Sequence, residues 1–242
     1  MKPTWRTELP QWIVIAAMFA VAAWAWPQLP ERIPIHWNLK GDIDGYGSKF
    51  TGLLLLPITI LVLYCVFRLV HLIDPGKENY ATFTNAFTAV RMAFVFFMTG
   101  VYVFSLLSIF GYKVNMTTLV CLDTGALFLV IGNFMSKIRP NWFVGVRTPW
   151  TLSSKMSWNK THRLAGWLFV LMGLSVAALG VVQTTWMFIC MLVVVVGCLA
   201  WMTIYSYLVY RQDPDRTSPA GVSPETIVLP EASEESRVDK FT

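Results

Sequence analysis

Six apolar runs, each long enough to cross a bilayer, constrain this chain more than anything else in it. A helix needs about 20 residues to traverse roughly 30 Å of hydrocarbon. The runs read as helices over about Gln11–Trp26, Gly52–Leu72, Phe87–Phe110, Met116–Met135, Leu164–Val182 and Trp186–Tyr210. Pro27 and Pro30 stop the first, and Asp74-Pro75-Gly76 stops the second. Only 14% of the residues are charged, against about 25% in a soluble domain. The expected fold is an all-α integral membrane protein with six transmembrane helices and both termini cytoplasmic. Its expected place is the cell (inner) membrane, as a multi-pass protein. Lys2 and Arg6 precede the first run as they would in a signal peptide. Trp24 and Trp26, however, stand where a cleavage site wants small residues, so the run is expected to stay as a span.

Orientation follows from Lys/Arg in the short connections. The stretch from Gly132 to Gly166 holds Lys137, Arg139, Arg147, Lys155, Lys160 and Arg163, with no Asp or Glu, and also Trp142, Trp150 and Trp158. Cations and tryptophans together suit a membrane–water boundary. With the amino terminus inside, the inner segments also collect Lys2, Arg6, Lys77 and Arg211. The outer ones hold Arg32, Lys40, Lys49 and Lys113. Residues 1–115 then form an amino-terminal membrane half of three spans with an outer loop, 27–51. Residues 116–210 form a carboxyl half of three spans with a cytoplasmic loop, 136–163. Residues 211–242 carry four Lys/Arg against seven Asp/Glu, lack apolar periodicity and read as a disordered acidic tail. The basic balance elsewhere belongs to the inner loops rather than to nucleic acid, and no direct nucleic-acid partner is expected.

Cys65, Cys121, Cys190 and Cys198 all lie inside apolar runs, without a CxxC or metal-ligand spacing, so disulfides are not expected. In the fifth span Gly166, Gly173, Ala177 and Gly180 fall on one face, the small-residue pattern of a helix that packs closely on another.

Asp123, inside the fourth span, is a candidate functional group because an ionisable residue at that depth is costly. It reads either as a structural hydrogen-bonding group or as a proton-relay or ligand group. His36, Asp42 and Asp44 share the outer segment, but their spacing matches no zinc signature, and the adjoining Gly41 and Gly45 read as turns; no metal is expected. His71 and Asp74 are spaced to meet on one helical face, and with His162 and Arg68 they are a second conceivable cluster. In the basic loop Thr151, Ser153 and Ser154 are candidate caps of a short interfacial helix. Arg147 can bind a backbone carbonyl, a lipid phosphate or a carboxylate. No GxSxG, HExxH, Walker A or GxGxxG pattern occurs, so nothing points positively to an enzyme, and no cofactor is expected.

Two stretches carry a family resemblance. GNFMSKIRPNWFVGVRTPWTLSSKMSWNKTHRLAG resembles the carboxyl-half signature of the SdpI family of membrane immunity proteins. LPERIPIHWNLKGDIDGYGSKF, followed by an apolar helix and IDPGKENY, resembles the amino-terminal domain often found with it. The resemblance implies a bacterial membrane protein that gives resistance to a secreted toxic peptide, and in some members signals by recruiting a cytoplasmic repressor. Residues matching the motifs include His36, Asn38, Gly41, Asp44, Lys49, Asn133, Arg139, Asn141, Gly145, Arg147, Thr148, Pro149, Trp150, Trp158, Thr161, His162 and Arg163. On this reading His36, Asn38, Asp44, Lys49 and Asp123 are ligand-binding candidates for a toxic peptide on the outer side, or a lipid. Asn133, Arg139, Asn141, Arg147, Trp150, Trp158, His162 and Arg163 are candidates for a lipid interface or for the repressor. The alternative is a membrane-embedded enzyme or proton-coupled transporter using Asp123, His36 or His71.

Overall fold

A computed structural model describes residues 5–216. In chain order the elements are α1 (Trp5–Ala25), β1 (Arg32–Trp37), β2 (Ile43–Ser48), α2 (Leu55–Ile73), α3 (Thr84–Ile109), α4 (Met116–Met135), α5 (Pro149–Leu152), α6 (Lys155–Val182) and α7 (Thr185–Arg211). Among the described residues six helices are long and apolar enough to cross a membrane, which is the expected number in the expected places. Helix α6 starts nine residues before the apolar run does, because Ser154 caps it: its hydroxyl accepts from Ser157 N at 2.8 Å. The basic loop is therefore shorter than its polar sequence suggests. Most of the acidic tail lies outside the described residues. Its first part does not: α7 continues to Arg211, and Asp213 is buried and accepts a hydrogen bond from Ser154 Oγ.

The carboxyl half is built on a close crossing of α4 and α6. A Cβ on Gly132 would stand 2.7 Å from the Gly166 carbonyl, and one on Gly125 would stand 2.8 Å from that of Gly173. In lipid there is little hydrophobic drive between helices, so van der Waals contact between bare backbones supplies much of the association. The small-residue face of the fifth span thus finds its partner in α4. Helix α3 packs on α4, and α7 packs on α6.

The amino half is joined mainly by side chains. Arg91 of α3 is buried and Nη2 donates to Glu8 Oε1 of α1 at 2.7 Å, while Tyr64 of α2 donates from its hydroxyl to Glu8 Oε2 at 2.6 Å. One carboxylate therefore ties three helices together.

Between α1 and α2 the chain forms an antiparallel hairpin, with Arg32 opposite Ser48 and Trp37 opposite Ile43. This two-stranded sheet adds to the otherwise helical fold. The alternation of Ile33, Ile35 and Trp37 suits an extended strand. A lone hairpin is marginal in water. Here Ile33 is buried against Ala22, Ala25 and Leu53, and Trp37 Nε1 donates to Ser108 Oγ at 3.0 Å, so the bundle holds it. The hairpin and the α3–α4 and α6–α7 turns share one end of the bundle. The α2–α3 turn and the basic loop share the other, where Asn79 Nδ2 donates to Pro140 O at 2.8 Å.

Candidate functional site

At the loop end the basic segment folds around its own polar side chains. Asn141 is buried, and its amide replaces a missing ladder: Oδ1 accepts from Phe143 N at 2.9 Å and Val144 N at 2.7 Å, while Nδ2 donates to the Arg139 and Val144 carbonyls, each at 2.9 Å. Buried backbone groups outside helices need such partners. Trp158 is fully buried; its Nε1 donates to Ile138 O at 2.9 Å, and its ring stacks on His162 at 4.0 Å.

His162 is equally enclosed. Nδ1 faces Trp158 O at 2.8 Å and must donate, while Nε2 accepts from Val146 N at 3.1 Å. Both ring nitrogens are thus used, and the imidazole is held neutral in one tautomer. Gly145 makes this possible: its φ is +112°, and a Cβ there would lie 2.3 Å from His162 Nε2.

Thr148, not Thr151, caps the short helix α5. Its hydroxyl accepts from Thr151 N at 3.1 Å, and Thr151 Oγ1 accepts from Thr148 N at 2.9 Å, a reciprocal capping box. Of the other two cap candidates, Ser154 caps α6 and Ser153 donates from its hydroxyl to Pro149 O at 2.7 Å. Thr148 and Ser157 also reach α7, at Ser206 Oγ (3.0 Å) and Ser206 O (2.7 Å) respectively. Trp150 packs on Tyr207 with ring centres 5.1 Å apart. The loop therefore fastens the end of α7 to the start of α6.

The α2–α3 turn docks on the same loop through Asp74. Its carboxylate accepts from Gly76 N at 2.6 Å, the Tyr80 hydroxyl at 2.8 Å and Trp142 N at 3.1 Å. Asp74 is the cap residue beyond α2, and no hydrogen bond or ion pair joins it to His71 among the described residues. Burial, together with the hydrogen bond to Asp74, pushes the Tyr80 phenol well above its ordinary range. The conceivable cluster of His71, Asp74, His162 and Arg68 is not assembled: Asp74 and His162 spend their polar atoms on different loop groups. No group of three His, Cys, Asp or Glu able to hold a metal occurs among the described residues.

The cations divide into used and unused. Arg147 Nη1 donates to Trp142 O at 2.6 Å and braces the loop. The side chains of Asn133, Arg139 and Arg163 are exposed and make no hydrogen bond or ion pair among the described residues.

At the hairpin end His36 Nδ1 lies 2.5 Å from Asp44 Oδ1 across the strands. Asn38 shapes the hairpin turn, with Oδ1 accepting from Lys40 N at 2.8 Å and Asp42 N at 3.1 Å. Its carbonyl accepts from Thr117 Oγ1 at 3.2 Å, fixing the turn to α4. Lys49 pairs with Glu31 at 3.1 Å and lies 5.9 Å from the Trp26 ring centre. Beneath β1 is a cleft of about 500 Å³. It is bordered by Pro34 to Trp37 of β1 and by Asn38 and Leu39 of the hairpin turn, and also by Leu55 and Leu56 of α2, Val101 and Ser105 of α3, and Val120 and Cys121 of α4. Such a mostly apolar concavity with a few polar groups is the usual form of a ligand site. Of the hairpin-end candidates, His36 and Asn38 border it, while Asp44 and Lys49 do not.

Asp123 sits one turn deeper on α4. Its carboxyl fills the notch left by Gly100 of α3, where a Cβ would stand 2.5 Å from Oδ2. That oxygen is buried and accepts no hydrogen bond. The sequence offered no sign that Gly100 faces it, nor that Glu8 would reach Arg91; both relations span helices far apart in the chain.

Residues 137–206 match the SdpI/YfhL protein family. Residues 13–61 match a domain of unknown function (DUF1648). The chain is 26% identical over 200 residues to the protein named "Immunity protein SdpI" from Bacillus subtilis (strain 168), covering 83% of this chain and 94% of that one. No solved structure matches it at a significant level.

Proposed function

From a chain of the SdpI family, a multi-pass cell membrane protein with the DUF1648 region ahead of its family signature, we propose a membrane immunity protein. It protects its cell from a secreted toxic peptide by binding, with the hairpin end outside and the basic loop in the cytosol. The observation that carries this reading is the cleft of about 500 Å³ under β1. It stands at the end of the bundle that the Lys/Arg distribution assigns to the outside. It is apolar enough to take the side chains of a hydrophobic peptide, and His36, Asn38 and Ser105 supply polar groups at its margin.

Signalling to a cytoplasmic repressor fits the same frame. A ligand shifts an equilibrium only through different affinity for two states. The cleft lies between α2 and the α3–α4 pair, and those elements are linked again at the loop end by Glu8, Arg91 and Tyr64 and by Asp74. A peptide wedged under the hairpin would bias that contact and thereby the loop face. One observation favours the transporter alternative, namely the unpaired Asp123 oxygen inside the membrane span.

The test is expression in a bacterium sensitive to secreted toxic peptides, scored as survival against an empty vector. Protection that disappears in Val120→Trp, with unchanged protein in the membrane, supports the cleft as the binding site. Survival no better than the vector for every peptide that kills the host would overturn the immunity reading.

A further inference from the structure

The close crossing of α4 and α6 has a second result at the loop end. The two backbones touch at Gly132 and Gly166. Just beyond that contact side chains reappear and leave a cleft of about 370 Å³, bordered by Asn133 and Ser136 at the end of α4 and by Arg163, Trp167 and Val170 along α6. Arg163 is the last charged residue before the apolar run that begins at Leu164.

The polar groups here have no internal use. The side chains of Asn133, Ser136 and Arg163 make no hydrogen bond or ion pair among the described residues. Nor is a carboxylate near in sequence: between Asp123 and Asp213 the chain has no Asp or Glu at all. The contrast with Arg147 is direct, since that guanidinium is spent on Trp142 O. A guanidinium with a hydroxyl and an amide beside it suits a phosphate oxygen set, which it can meet with two parallel N–H donors. One and two turns further along α6 from Arg163 the lining turns apolar at Trp167 and Val170, and Trp167 is 74% exposed, as an indole in lipid contact would be.

We propose that this cleft is a binding site for one anionic glycerophospholipid, its phosphate held by Arg163, Asn133 and Ser136 and its acyl chain laid along Trp167 and Val170. The apolar stretch of Trp167 and Val170 makes the occupant a lipid rather than free phosphate. Lys137 and Lys160 are exposed close by in the chain, and they favour a headgroup with net negative charge over a zwitterionic one. Occupancy would clamp the α4–α6 crossing at its cytosolic end.

Delipidated full-length protein titrated with phosphatidylglycerol and examined by native mass spectrometry tests this. The first phosphatidylglycerol should bind at least five-fold more tightly than phosphatidylcholine, and Arg163→Gln should remove that preference. Arg139→Gln, outside the cleft, should keep it. Asn133→Leu gives an independent reading should Arg163→Gln elute as aggregate, and it should weaken the first binding step by a few fold. Equal affinity of wild type and both cleft variants for phosphatidylglycerol overturns the proposal. So does full competition by millimolar inorganic phosphate, which would make the site one for the free anion.

Discussion

Arg91 and Glu8, 83 positions apart, form an ion pair at 2.7 Å in which the arginine side chain is 1% exposed. Two of its nitrogens, Nε and Nη1, find no acceptor, so the pair is costly as well as cohesive. Removing one partner leaves the other charge stranded. Arg91→Leu should destabilise the protein by roughly 3–5 kcal/mol, and the double variant Glu8→Leu/Arg91→Leu should recover most of that loss. Unfolding in detergent micelles measures both; a double variant less stable than either single one would contradict this account.

Gly145→Ala should be poorly tolerated. The backbone there is left-handed and the new methyl would strike the His162 ring. Strain and overpacking together should cost roughly 2–4 kcal/mol. Because the methyl meets an imidazole, the paired change His162→Ala should relieve the clash but not the backbone strain. Thermal denaturation of the three variants separates the two contributions.

Tyr80 gives the loop end an alkaline limit. Its phenol titrates above the ordinary value near 10, so the fold favours the neutral form. The stability this adds is complete below about pH 10, where the unfolded phenol is also neutral, and is lost as pH rises from there towards the higher folded value. Tyr80→Phe should lower stability at pH 7 by about 1 kcal/mol and flatten the loss above pH 10. A wild-type stability that stays level through alkaline pH, measured against Tyr80→Phe, would dismiss this linkage.

Asp123→Asn separates binding from proton coupling. Under the binding reading the amide fits the Gly100 notch and protection from the toxic peptide should stay within about two-fold of wild type, since an isostere keeps the packing against Gly100. Complete loss of protection with normal membrane levels would move the balance to the transporter. Gly100→Leu, by contrast, should disrupt the α3–α4 contact and lower the amount of protein.

Orientation is open to a direct measurement. In a cysteine-free background an impermeant thiol reagent should label Ser48→Cys in intact cells, and Lys160→Cys only after permeabilisation; both positions are exposed. The reverse pattern would turn the cleft toward the cytosol and remove the proposed route for a secreted peptide.

The two halves of the molecule differed in how much their residues disclosed. Apolar length alone located the six helices, because a bilayer accepts only segments that satisfy their own backbone. The lipid-crossing class, the polar interruptions and the small-residue face on α6 follow from that one-dimensional pattern. The family wording of the basic loop was legible as well, although it named residues without assigning them tasks. Asn141, Trp158 and His162 are contact candidates by their wording, and the fold buries all three and bonds their polar atoms to backbone at the loop end. Their neighbours settle this, and composition carries no trace of neighbours.

What tertiary structure alone decided is which polar groups are spent and which are left over. Arg147 and Arg163 are alike in sequence, both cations of one tryptophan-rich stretch. Only the fold turns the first onto a carbonyl and leaves the second beside an empty-handed amide and hydroxyl. The reason is physical: helix position and apolar burial are sums along the chain, whereas a hydrogen bond depends on direction and on atoms brought within about 3 Å from segments that the chain itself keeps far apart.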